Sequence, residues 1–176
     1  MKLKPGQHAK NFSVKDFKGN PISLEDYRGK KLILSFYRYA ACPLCNVRVH
    51  ELIKRYPEFK KKGLNFLAFF ESPRESIEKN VGKQDAPFPI IPDPERLIYK
   101  KYGVGSSWWG MIIGMLNLRV ILKMFKYKYF VKKPEGDVRL LPADFLIDEK
   151  GVIRHAFYAK NISGHMPMSV IEEFLG

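Results

Sequence analysis

The chain has 176 residues, 45% of them apolar, with no low-complexity stretch or internal repeat. It is long enough for one domain with a packed core, which excludes a disordered or fibrous protein. Its formal net charge of +13 raises the question of nucleic acid or an anionic membrane, but the basic residues are spread along most of the chain and accompany no RNA- or DNA-binding motif, so nucleic acid is not an expected partner. Only two cysteines occur, and the opening stretch MKLKPGQHAKNF lacks the apolar run of a secretory leader. A cytoplasmic redox pair is therefore expected rather than a disulfide scaffold.

Residues 10–37 read as a strand, a turn at Gly19-Asn20-Pro21, a short strand, a turn around Arg28-Gly29, and a buried strand from Leu32 to Tyr37. A short loop leads to Cys42-Pro43-Leu44-Cys45, followed by a helical pattern carrying Val47, Val49, Leu52 and Ile53 and ending near Gly63. Leu64 to Phe70 is a second buried strand, a helix opens at Ser72 or Pro73 and runs to about Asn80, and Phe88 to Ile91 is a short strand. Asp93-Pro94 is expected to start another helix that ends at Gly103. Strands alternating with helices predict an α/β fold, a central mixed sheet covered by helices on both faces.

Residues 105–137 stand apart from that alternation. Tyr102 to Leu118 contains four glycines and no charge, and is too short and too glycine-rich for a transmembrane helix. The sequence then turns basic and aromatic, RVILKMFKYKYFVKK. Met111, Met115, Leu118, Leu122 and Phe125 share a helical spacing, with Arg119, Lys123 and Lys126 on another side. The segment is read as a helical insertion packed over the active-site face or at a homodimer interface, in preference to a membrane-contacting helix. Beyond it come a strand from Asp144 to Ile147, a turn at Glu149-Lys150-Gly151, a return strand from Val152 to Tyr158, and a final helix, Met168 to Leu175, opened by Pro167.

A strand running into C-x-x-C at a helix start concentrates the chemistry. Backbone N–H groups and the helix dipole stabilise a thiolate there, Pro43 suits the first turn, and the spacing allows the two sulfurs to close a small ring. Arg38 and Arg48 are the cations nearest in sequence. Arg48, three residues beyond Cys45, can share its helix face, although such an arginine is more often simply solvated. Glu71, at the end of the second buried strand, is a candidate proton acceptor for the second thiol. His50 is a weaker candidate. The two cysteines with His50 or His165 fall short of a zinc pattern, so no metal is expected.

The opening F-S-V-x-D-x-x-G-x-x-I-S-L-x-D-Y-R-G-K, followed by an apolar strand ending in F-Y, resembles the alkyl hydroperoxide reductase/thiol-specific antioxidant group of the thioredoxin superfamily. The likeness covers most of the chain except residues 105–137 and implies a single thioredoxin-like domain over residues 1–176, with an N-terminal extension and the insertion. Peroxiredoxins carry P-x-x-x-T-x-x-C after F-Y; here Arg38, Cys42 and Cys45 stand at those positions, so only the cysteine is kept. The peroxiredoxin arginine, counted back from F-L-I-D, falls on Pro142. The chain is therefore similar to peroxiredoxin-like proteins with C-P-x-C in place of T-x-x-C. Leu141-Pro142-Ala143-Asp144-Phe145 resembles the thioredoxin segment that faces the disulfide, usually with a cis peptide bond, which would offer backbone groups to an extended substrate.

These resemblances imply a thiol–disulfide oxidoreductase that cycles a Cys42–Cys45 disulfide, with Cys42 attacking and Cys45 resolving. The implied reductant is thioredoxin or another thiol, and no cofactor is required. Two alternatives stand beside it: a peroxidase acting on hydrogen peroxide or organic hydroperoxides with Cys45 as the peroxidatic sulfur, and a redox-sensing module that binds a membrane or a partner.

Overall fold

A computed structural model of the chain describes residues 1–128 and 134–176; of Arg119, Val120 and Lys123 it describes the backbone alone. Residues 129–133, where the basic, aromatic stretch of the insertion continues, lie outside the described residues, as do the expected positions of the Arg119 and Lys123 charges.

A small antiparallel ribbon, β1 (Ser13–Lys15) and β2 (Pro21–Ser23), precedes the main sheet. The sheet is built from β3 (Lys31–Phe36), β4 (Leu64–Phe70), β5 (Ile90–Pro92), β6 (Ala143–Ile147) and β7 (Ile153–Tyr158) in the order β5-β4-β3-β6-β7. β3 pairs parallel with β4 on one side and antiparallel with β6 on the other, which makes the sheet mixed. Its KLILSF sequence has no polar alternation because both faces are covered, the usual reason a central strand reads as a continuous apolar run.

One face carries α1 (Pro43–Lys61) and α6 (Met168–Leu175), whose Val49, Leu52, Phe59 and Ile171 pack on Ile33, Phe66 and Leu146. The other carries the N-terminal segment and α3 (Leu97–Lys101), with Leu3, Phe12, Ile98 and Tyr99 packed on Leu34, Phe69 and Phe145. This is the thioredoxin-like arrangement expected, with helices on both faces. α2 (Arg74–Lys79) follows β4.

Two elements differ from the sequence reading. The helix expected from Asp93-Pro94 begins only at Leu97. The Asp93 carboxylate accepts the N–H groups of Leu97 (2.9 Å) and Ile98 (2.8 Å), so Asp93 caps the helix from outside it, and Arg96 between them sits in the left-handed region. The insertion is two short helices rather than one: α4 (Trp108–Met115) and α5 (Leu118–Lys126). The break falls at Asn117, whose side chain donates to Ser163 Oγ (3.1 Å) while its carbonyl accepts the N–H of Ile121.

α4 lies close against the body because of its glycines. A Cβ on Gly110 would stand 2.7 Å from the Lys160 carbonyl oxygen, and one on Gly114 would collide with the Ile162 side chain. Away from those glycines the insertion leaves much of its apolar surface in solvent.

Candidate active site

The carboxyl ends of β3 and β4 set the site. Tyr37 N–H donates to Phe69 O (2.9 Å) and Glu71 N–H to Arg38 O (3.2 Å), so the ladder runs past the strands and holds the backbone of Arg38. The Tyr99 hydroxyl donates to both Tyr37 O (2.6 Å) and Phe69 O (2.8 Å) and locks this edge from below. The loop that follows is equally tied down. Ala40 N–H donates to Ser72 Oγ (2.8 Å), and Asn46 Nδ2 bridges the carbonyls of Ala40 (2.7 Å) and Cys42 (2.9 Å). These buried hydrogen bonds tie the loop backbone to the segment just after β4 and to the first turn of α1.

Cys42 is the N-cap of α1, Pro43 fills the first helical position, and Cys45 lies one turn in. Both sulfurs are free and both residues are 0% exposed. Arg38, itself buried, donates from Nη1 to Cys42 Sγ (3.3 Å) and from Nη2 to Val138 O (2.6 Å). The cysteine that the helix start favours is thus also the one that carries the cation.

The two thiols are driven apart. Burial pushes the Cys42 thiol up, but the hydrogen bond from Cys45, the Arg38 guanidinium and the N–H groups of Cys45 and Leu44 outweigh it and hold its pKa below the ordinary thiol value. Cys45 moves the other way: burial, its hydrogen bond to Cys42 and the charge on Cys42 raise it, against a smaller pull from Arg38. When the pair carries one negative charge, these shifts favour it on Cys42 and the proton on Cys45.

The other sequence candidates fall in different places. Arg48 Nη2 donates to Met166 O (2.7 Å), so its hydrogen bond anchors the segment before α6 instead of a sulfur. Glu71 accepts Asp137 N–H (3.0 Å) and faces Arg96 Nε (3.4 Å), which clips the end of the insertion to β4; burial raises its pKa despite these partners. Pro142 is buried at the start of β6, at the sheet edge that carries Arg38, and its carbonyl accepts Ala159 N–H (3.0 Å). The Leu141–Pro142 peptide bond is trans, as is every described one, which corrects the cis bond expected there. Around it, Leu141 N–H donates to Gly105 O (3.0 Å), and the Pro142 carbonyl continues the β6–β7 ladder. His50 packs its ring on Tyr127 (4.5 Å between centroids).

A buried polar cluster beside this site has little trace in the sequence reading. The β3–β6 register sets Ser35 opposite Asp144, and Ser35 Oγ donates to Asp144 Oδ1 (2.6 Å). Asp144 Oδ2 accepts Met166 N–H (2.7 Å) and lies 3.3 Å from His165 Nδ1, while the His165 ring packs at 4.9 Å on Tyr37. The available signal was a serine and an aspartate interrupting two otherwise apolar strands, which means little until the register pairs them. Burial alone would raise the Asp144 carboxyl, but His165, Arg48 and Met166 N–H hold it below the usual carboxylate value.

Asp144→Ala is expected to lower stability by about 3 kcal/mol, since it strands two buried donors, against about 1 kcal/mol for Ser35→Ala. Because the folded pKa of Asp144 is depressed, its contribution is present above the ordinary carboxylate pKa of about 4 and is lost as pH falls through the folded value. Thermal melts at neutral pH should therefore separate wild type from Asp144→Ala, and the gap should narrow in acid below about pH 4.

A family model described as the AhpC/TSA family matches residues 5–156. A putative peroxiredoxin of Mycobacterium tuberculosis is 27% identical over 165 residues, covering 94% of this chain and 91% of its own. Thiol-disulfide oxidoreductase ResA of Bacillus cereus is 35% identical over 104 residues, 58% of this chain and 60% of its own. The crystal structure of peroxidoxin BcpB from Mycobacterium tuberculosis superposes with a TM-score of 0.71 at 15% identity, covering 98% of this chain and 96% of that one, which is an agreement of fold.

Proposed function

The chain belongs to the AhpC/TSA family and is an oxidoreductase acting through thiols, and on that premise we propose that it is a thiol–disulfide oxidoreductase in which Cys42 attacks and Cys45 resolves. One observation carries the assignment: Arg38 Nη1 lies 3.3 Å from Cys42 Sγ at the start of a 19-residue helix, so the negative charge belongs on Cys42.

In the first step the Cys42 thiolate attacks one sulfur of a substrate disulfide. A mixed disulfide forms and the other substrate sulfur leaves as a thiolate. Bonding neutralises Cys42, which removes both the charge and the hydrogen-bond acceptor that kept the proton on Cys45. Cys45 then becomes more acidic at the moment it is needed. It gives up its proton, attacks Cys42 Sγ, closes the Cys42–Cys45 disulfide and releases the second substrate thiol. Thioredoxin or another small thiol supplies the two electrons that reopen the ring, and a reducing compartment, the cytoplasm, keeps that donor charged. Pro142 borders the site from the neighbouring strand, and neither a metal nor an organic cofactor takes part in the cycle.

The complete burial of both sulfurs favours a second reading, a thiol peroxidase, because a small hydroperoxide reaches a closed site more easily than a protein disulfide does. There a cysteine thiolate, Cys45 on the peroxiredoxin pattern, attacks the O–O bond, forms a sulfenic acid and releases an alcohol or water. The other thiol condenses with the sulfenic acid, losing water and leaving the same disulfide. Stopped-flow oxidation of the reduced protein decides between the readings. Rapid exchange with disulfides beside hydrogen peroxide oxidation no faster than that of a free small thiol supports the oxidoreductase. Fast peroxide oxidation that needs Cys45 and survives loss of Cys42 overturns it.

A further inference from the structure

The insertion carries a surface the redox cycle does not use. Of the eleven large apolar side chains that the described residues expose, all but Met1 and Leu97 lie between Trp108 and Phe125. Gly110 and Gly114 seat α4 on residues 160–162, which turns Trp108 (59% exposed) and Trp109 (76%) outward. On α5, Ile121 and Met124 are half-buried, whereas Leu118, Leu122 and Phe125 are exposed at helical spacing. Exposed apolar side chains concentrated in one segment mark an interaction site.

Charge identifies the occupant. No aspartate or glutamate occurs from Leu97 to Pro134, while eight lysines and arginines do, among them the exposed Lys126 and Lys128 on α5 and just beyond it. A second copy docked symmetrically would set this basic stretch against itself. Helices of eight and nine residues cannot cross a bilayer, and no described helix is long and apolar enough to do so. Short helices with tryptophan and phenylalanine outward and lysines beside them lie in the headgroup region instead.

We propose that α4 and α5 dock this protein on an anionic lipid bilayer, with the apolar side chains at the acyl boundary and the lysines among the headgroups. The docked face flanks the redox site. Ser107 N–H donates to Arg139 O (2.9 Å), one residue from the Val138 carbonyl that holds Arg38, and Gly110 lies against Leu141, the residue before Pro142. The edge of the sheet that carries Cys42 is thus the edge brought near the membrane.

The chain contains two tryptophans, both on α4, so tryptophan emission excited at the red edge, where its nine tyrosines do not absorb, reports this surface. The full-length protein is mixed with vesicles of phosphatidylcholine and phosphatidylglycerol, with phosphatidylcholine alone as control. Docking predicts a blue-shifted emission, quenching by brominated acyl chains, and co-sedimentation that weakens with salt and is absent from the control. Lys126→Glu with Lys128→Glu, and separately Leu122→Ser with Phe125→Ser, should each weaken partitioning at least about tenfold, with exchange of a small soluble disulfide unchanged. Unshifted emission with anionic vesicles at low salt overturns the proposal. So does binding without acyl quenching, or a lipid-free dimer whose emission is already blue-shifted, which would make a second copy the occupant.

Discussion

Cys42→Ser is expected to reduce disulfide exchange by at least about 10³-fold at pH 7, to the level of an unassisted thiol, while Cys45→Ser attacks at near wild-type speed and accumulates the mixed disulfide. The asymmetry follows from the opposite pKa shifts of two equally buried sulfurs. Arg38 and the α1 N-terminus hold charge on Cys42, and burial with a neighbouring anion keeps the proton on Cys45. Serine at position 42 removes the only thiol poised as an anion. Cys45 is then freed of its charged neighbour but remains buried, and recovers little. A single-turnover assay with a disulfide whose leaving thiolate absorbs light, combined with intact-mass measurement, reads both outcomes. A Cys42→Ser protein that still reacts quickly with peroxide and holds a sulfenic acid on Cys45 would reverse the assignment.

Arg38→Met should slow the same reaction at least tenfold near neutral pH, and the loss should disappear in alkali. The sign follows from the cation's effect. Arg38 favours the thiolate, so its removal raises the Cys42 pKa, moves the midpoint of the pH–rate profile up by about 1–3 pH units, and lowers the thiolate fraction at pH 7. Above the new midpoint both proteins are fully ionised and their rates converge. Methionine fills similar space, but Val138 O loses its donor, so some loss of stability accompanies the kinetic change. Arg38→Lys separates the two effects: a retained charge should restore much of the acidity, though the paired contact with Cys42 and Val138 needs the guanidinium fork. An unchanged profile in Arg38→Met would mean that the helix N-terminus alone sets the thiolate.

Much of this architecture is written locally. The apolar run of β3, the C-P-L-C at the head of α1, the turn at Gly63 where the chain adopts a positive φ, and the final helix after Pro167 follow from periodicity, capping and turn chemistry, which involve neighbours within a few residues. The same local signals misplaced two boundaries. Asp93 reads as a helix start, yet its carboxylate caps a helix that begins four residues on. The insertion reads as one helical stripe, yet a bond from Asn117 to Ser163, far along the chain, divides it.

The site divides in the same way. The sequence by itself determined that two cysteines stand one helical turn apart behind a buried strand, and hence that a redox pair was present. It could not determine which of Arg38 and Arg48 reaches a sulfur, because both are near in sequence and only packing orients them. Arg38 is turned onto Cys42 by a carbonyl one hundred positions away, and Arg48 is drawn to the segment before α6. Asp144 meets Ser35 only through the register of two strands 109 positions apart. Spacing along the chain sets which backbone groups and neighbours a residue has. The charge and acidity of a buried side chain depend on everything packed around it, and only the tertiary structure decided that.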